Sequence, residues 1–317
     1  MSHKLADKKM LNFTWLGYNK LMLAQESQLL FLIVFFVYGL AFFVMGIALF
    51  LEASRSPSLA EAQLLLPLAL FGILHGLHEW FELFLEQASW METQITEDVF
   101  IIRLVFLAIS FLSLGFYGFL ASRLQKRETL FRLRLPLITL GFYFAIIIFS
   151  AITAYKSLPL DTPSLANNLI RYLLAVPAAV LASIGLRIQA KEAQKDKRFP
   201  LVSNLNWASF GFGLYGFSQL FVSPLAVFPA THLNNQNFFL LTGIPPEVIR
   251  SITALIITFG LVRAIQAIEV ERQEQFQIAQ EARVDALERV KEEMDAREDM
   301  RRELLRHIVQ AQGDERA

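Results

Sequence analysis

Seven apolar blocks, at 29–51, 64–84, 99–122, 135–155, 167–186, 207–227 and 248–268, alternate with short polar stretches along the chain. Each reaches or approaches the ~20 residues that a helix needs to cross ~30 Å of hydrocarbon. The pattern predicts an all-α, polytopic membrane protein with seven transmembrane helices. Ahead of the first block, Lys4, Lys8, Lys9 and Lys20 mix with Leu11, Phe13, Trp15, Leu16 and Tyr18, the mixture expected of a short interfacial helix over 1–28. The last block has no helix breaker at its end. From Val248 onward Gly260 is the sole glycine, and no proline occurs, until Gly313. A single helix is therefore expected to leave the membrane domain of 29–268 and continue through 269–317.

That tail carries a heptad phase made of Phe276, Leu287, Val290, Met294, Leu304, Ile308 and Ala311, and the same phase also contains Gln280, Arg283, Arg297 and Arg301. The interrupted apolar seam predicts a parallel dimeric coiled coil of modest stability, hence a homodimer; the plainer alternative is a single solvated helix. A marginal coil suits a signalling rod, because two packings of similar energy respond to small shifts at the membrane.

Charge sets the orientation. Acidic and basic side chains balance at 29 each, but they are segregated, with the tail dense in both and the first blocks nearly bare. Arg123, Lys126, Arg127, Arg132 and Arg134 lie in the third connection and Arg187, Lys191, Lys195, Lys197 and Arg198 in the fifth, whereas 87–98 and 229–247 hold no Lys or Arg. Odd connections are then cytoplasmic, which puts the C-terminal helix in the cytoplasm and the N-terminus outside. The N-terminal lysines run against this rule. With no cysteine there is no disulfide frame, thiolate metal site or cysteine nucleophile. The first long apolar run begins only near Leu29 and has the length of a full span, so no cleavable signal is expected.

Two motifs are set aside. Gly211-Phe212-Gly213-Leu214-Tyr215-Gly216 fits the dinucleotide fingerprint letter for letter, but no strand precedes it and the block is apolar, so the glycines read as helix-packing positions. Pro177 and Pro224, inside apolar blocks, read as kinks first and as ligand-cavity or hinge positions second. No Walker loop or zinc signature occurs, and membrane lipid rather than nucleic acid is the expected surrounding.

The second block holds the candidate site. His75, Glu79, Glu82 and Glu86 stand at i, i+4, i+7 and i+11 on one helical face, with His78 beside them. Ionisable groups near the bilayer midplane are costly, so they are expected to face the bundle interior and to find partners. Arg103 in the third block and Arg171 in the fifth enter from the same side to similar depth and are the natural counter-ions for Glu79 and Glu82. Three readings are open: a structural polar network; a proton- or small-molecule-sensing cavity that also uses Tyr172 and Gln219; and a metal or haem site on His75, His78 and Glu82 with His232. Other classes fitting the same pattern are a transporter or channel with a cytoplasmic coil, and a haem- or quinone-linked membrane enzyme.

The end of the chain, Arg301-Arg302-Glu303-Leu304-Leu305-Arg306-His307-Ile308-Val309-Gln310-Ala311-Gln312-Gly313-Asp314-Glu315-Arg316-Ala317, resembles the segment leading into the dimerisation and phosphoacceptor helix of bacterial sensor histidine kinases of the nitrate-sensor and desaturase-thermosensor type. The stretches 42–52 and 71–80, with Met45, Gly46, Ala48, Glu52, Gly72, His75, Gly76, His78, Glu79 and Trp80, are similar to an N-terminal membrane module of such proteins. The resemblance implies a membrane-embedded input module in the bacterial inner membrane, which acts on a response regulator only through a kinase core. His307 is followed by Ile308 rather than an acidic residue, so no phosphoacceptor role passes to it. Neither an acceptor box nor an ATP-binding domain is present, and no catalysis is expected of the chain as given.

Overall fold

The computed structural model describes residues 3–55, 59–123 and 162–314. Among them every regular element is helical: α1 (His3–Arg55), α2 (Leu59–Trp90), α3 (Glu97–Arg123), α4 (Thr162–Ile170), a π-helical turn (Arg171–Ala175), α5 (Val176–Lys195), α6 (Phe199–Ser218), α7 (Asn235–Thr242) and α8 (Pro246–Asp314). Five of the described segments are long and apolar enough to cross a membrane: Gln28–Arg55, Leu64–Trp90, Glu97–Ser122, Pro163–Lys195 and Pro246–Ile308. Leu30, Ile33, Phe36, Val44, Ile101, Leu112, Phe116 and Phe259 face outward, while His75, His78, Glu79, Arg171 and Arg250 are buried. Water would reverse that distribution and hydrocarbon favours it, so the chain is an integral membrane protein.

The expected blocks and the helices differ in places. The block at 135–155 lies outside the described residues. The expected interfacial segment 1–28 is not set off by a break, because α1 runs on from His3 to Arg55. The block at 207–227 is helical only as far as Ser218, and its helix begins eight residues earlier, at Phe199. Pro200 lies in the first turn of α6, where a missing N–H costs nothing. Beyond Ser218, Pro224 and Pro229 remove N–H donors from the same apolar run. Pro224 is therefore in an irregular segment rather than at a kink, and its apolar neighbours line that segment instead of a helix.

The chain divides into two compact units, Met1–Ile265 and Gln266–Ala317. In the first, α1 and α2 meet through glycines. A Cβ on Gly46 would lie 2.5 Å from the backbone N of Ile73, and one on Gly76 2.7 Å from the carbonyl O of Gly39, so only glycine allows the backbones this close. The fingerprint glycines serve packing too: a Cβ on Gly211 would meet Ile257 at 2.7 Å, and one on Gly216 would meet Ala179 at 3.1 Å. Gly260 of α8 does the same for α6, since its Cβ would stand 2.8 Å from the backbone N of Ala208. α8 is also tied to α1, where Thr258 Oγ1 donates to the Ala41 carbonyl at 2.9 Å. In the second unit the helix exposes Phe276, Leu287, Val290, Met294, Leu304 and Ile308. Arg272–Glu269 and Arg302–Glu298, each at 3.0 Å, pair one turn apart on its surface.

Candidate functional site

The helical period aligns His75, Glu79 and Glu82 on α2, and Gly72 and Gly76 let α1 approach that helix closely enough for Tyr38 to reach them. Tyr215 comes from the last turn of α6 and Ser110 from α3. His75 is the hub. Its Nε2 lies 2.6 Å from Tyr215 Oη, 3.3 Å from Tyr38 Oη and 3.3 Å from Glu79 Oε1, and its Nδ1 lies 3.1 Å from Ser110 Oγ. The two tyrosine hydroxyls are 2.8 Å apart. Phe42, Phe71 and Phe111 pack around the imidazole, with Phe71 stacked on it at 5.1 Å, so the hub has an aromatic wall and no face to solvent.

His78 stacks beside His75, ring centroids 5.7 Å apart, and is equally buried. Its Nε2 comes within 3.4 Å of Glu82 Oε1, but neither ring nitrogen makes a hydrogen bond of ordinary geometry. Glu82 pairs with Arg103 Nε at 2.5 Å, and Arg103 Nη2 donates to Asn167 Oδ1 at 3.2 Å, which ties α2 to α3 and α4. Glu82 and Arg103 are partly exposed, so this pair is the network's rim.

Arg171 opens the π-helical turn. The N–H of Val176 bonds the Arg171 carbonyl five residues back instead of four. Pro177 explains the widening, because it has no N–H for the Leu173 carbonyl and its ring would clash with that oxygen in a regular helix. The turn aims Arg171 Nη1 at Gln219 Oε1, at 2.5 Å. Arg171 therefore makes a hydrogen bond rather than a contact ion pair, and reaches Glu79 only through its field. Next to it, Tyr172 Oη lies 3.2 Å from the Leu220 carbonyl and 3.1 Å from that of Leu233, and Asn168 Nδ2 donates to the Ser223 carbonyl at 2.9 Å. These bonds hold the irregular backbone of 219–234, whose polar groups could not face lipid.

Arg250, one turn into α8, is buried and donates through Nη2 to the carbonyls of Ser218 (3.2 Å) and Phe221 (2.5 Å), with Glu247 3.4 Å from Nη1. A guanidinium there adds a donor to carbonyls at and just beyond the C-terminus of α6 and complements its dipole. Its field, like that of Arg171, acts on Glu79.

The residues expected from sequence thus fall into three groups. His75 and Glu79 share the hub; Glu82 and Arg103 form the rim, with the buried His78 between hub and rim; Arg171 stands between the hub and the 219–234 segment. The metal set His75, His78, Glu82 and His232 is not brought together. His232 is exposed, and among the described residues no group of three or more potential ligands is placed to hold a metal ion. Sequence reasoning missed Tyr38, Ser110, Tyr215 and Arg250. Arg250 carried the same signal as Arg103 and Arg171, an arginine a few residues inside an apolar block; the hydroxyls carried none. No protein-family model, curated protein or solved structure matches this chain, and the functional reading rests on the site's own geometry.

Proposed function

We propose that the chain is the membrane-embedded input module of a signalling protein of the histidine-kinase type, in which a change at the buried network moves α8 and, through it, the packing of two copies of the tail. On this reading it lies in a bacterial inner membrane with seven spans, N-terminus outside and C-terminus cytoplasmic, and reaches a response regulator only through a kinase core. One observation carries the reading: Arg250 belongs at once to the head of α8 and to the polar interior, where it caps α6. The exposed Phe276, Leu287, Val290 and Met294 then form the seam for a second copy.

The test is electron-spin distance measurement on the full chain in lipid nanodiscs, labelled at Leu287→Cys. The expected result is a short inter-subunit distance that changes in Arg250→Gln. A single long-range or absent dipolar coupling would refute the dimer, and a distance identical in both proteins would refute the coupling of network to tail.

A further inference from the structure

The hydrogen-bond directions at His75 can be assigned from proton counts alone. Ser110 has one hydroxyl proton and gives it to the Leu107 carbonyl at 2.8 Å, so its oxygen must accept from His75 Nδ1–H at 3.1 Å. With the ring proton on Nδ1, a neutral His75 presents a lone pair at Nε2. Tyr215, at 2.6 Å, donates to it, and Tyr38 donates to Tyr215 at 2.8 Å. The chain Tyr38 to Tyr215 to His75 to Ser110 to Leu107 then uses every available proton. Glu79 remains. Its Oε1 faces Nε2 at 3.3 Å, and among the described residues the His75 ring is its one polar partner. A carboxylate against a lone pair, 2% exposed and with no donor among the described residues, is an arrangement that protein interiors disfavour.

We infer that His75 and Glu79 hold one exchangeable proton between them, and that its presence or loss is the stimulus the network reads. The inference deepens the proposed function and rests on it. With the proton bound the pair is neutral, whether the proton sits on the carboxyl or makes the ring an imidazolium. Release leaves a neutral imidazole and a Glu79 carboxylate and passes one proton to outside water. His78, stacked on His75 and 3.4 Å from the partly exposed Glu82, stands on the route.

The groups facing the pair decide how the protein responds to that release. They are Tyr38 on α1, His78 and Glu82 on α2, Ser110 and Arg103 on α3, Arg171 in the π-turn, Tyr215 on α6 with Gln219 just beyond it, and Glu247 and Arg250 on α8. Arg103 is committed to Glu82, Arg171 is bound to the neutral Gln219, and Arg250 is bound to two carbonyls with Glu247 3.4 Å away. A new carboxylate at Glu79 would draw Arg171 from Gln219 or Arg250 from the α6 carbonyls, and either move alters the junction of α6 with α8. Low pH outside therefore stabilises the arrangement described above, and high pH releases it.

The experiment is an infrared pH titration of the full chain in phosphatidylcholine–phosphatidylglycerol vesicles, with spin labels at the lipid-facing Phe217 and Ile252 reporting the α6–α8 junction. The expected acid-minus-alkaline spectrum contains a buried-carboxyl or imidazolium difference that Glu79→Gln removes and Glu86→Gln keeps, and the label distance shifts with pH only where that difference is present. Ring signals of isotopically labelled histidine in the unsubstituted protein report the same titration if Glu79→Gln fails to fold. Spectra identical in the parent and Glu79→Gln, with no histidine titration, would overturn the shared proton. A titrating pair with a fixed label distance would overturn its role as stimulus. A pH-dependent junction combined with an unresponsive label at Leu287 would refute the signalling reading and leave the proton site standing.

Discussion

Alanine at Gly72 should separate α1 from α2 by a measurable amount of stability. The new Cβ would lie 2.7 Å from Gly46 Cα, 2.8 Å from Gly46 N and 2.8 Å from the Phe42 carbonyl O, all backbone atoms that cannot rotate away. Ordinary contact begins near 3.4 Å, so the helices must part by roughly 0.7 Å, a gap that forfeits a quarter to a half of each dispersion contact along the seam. Overpacking of this kind costs about 1–3 kcal/mol, and backbone on the opposing side puts Gly72 at the upper end. Replacing a helical glycine by alanine returns about 1 kcal/mol of intrinsic helix propensity. The net expectation is a loss of about 2 kcal/mol, roughly thirty-fold in the folding equilibrium. Gly115 provides the control: a Cβ there meets only the Ala178 side chain, at 3.6 Å, so Gly115→Ala keeps the propensity gain without the clash and should be neutral to stabilising. Both variants would be compared by reversible unfolding in mixed micelles of fixed composition. Equal effects, or Gly115→Ala the more damaging, would refute the reasoning, because the two sites differ in the opposing atoms and share the propensity term.

The rim and the tail yield two further predictions. Removing Arg103 leaves Glu82 partly buried and unpaired, which should cost about 1–3 kcal/mol after discounting for the pair's exposure, and the charge-swapped double substitution Glu82→Arg with Arg103→Glu should recover part of the loss; no recovery in a double-mutant cycle would mean that Asn167 and His78, not the ion pair, fix these side chains. Cysteines at Leu287 or Val290 should cross-link two copies in vesicles under mild oxidation; failure at both, with the protein still folded, would leave the tail a solvated single helix.

The membrane character and the polar stripe were legible because both are local. Block length reports a span directly, and His75, Glu79 and Glu82 share a face by helical period alone. Helix ends were less legible where an apolar run outlasts its helix. The run through 227 stays apolar after Ser218, but its prolines cannot donate, and hydropathy does not register a missing N–H. The partners of His75 were not legible at all. Tyr38 and Tyr215 stand 37 and 140 positions from it, and a tyrosine in an apolar block looks the same whether it faces lipid or a histidine. The arginines were partly legible: burial cost said that Arg171 must find a partner, but the partner is Gln219 and not a glutamate, because the π-turn sets the direction of the side chain.

That turn makes the last prediction. A π-turn inserts one residue into the helix, so the segments before and after it are rotated by about 100° relative to an uninterrupted helix. Pro177 is what prevents the Leu173 carbonyl from closing a regular turn, and Pro177→Ala supplies the missing donor. The substituted helix should be more stable on its own, yet regular winding would carry Arg171 around the helix and off Gln219. The two effects separate in a double-mutant cycle. Arg171→Lys and Gln219→Ala should couple by about 0.5–3 kcal/mol in the parent protein and by nothing in the Pro177→Ala background. Undiminished coupling would show that the packing of α3 and the 219–234 segment, rather than the proline, holds the turn open. Loss of coupling with retained or raised stability would show that the chain keeps a less favourable helix to aim one arginine at its polar interior.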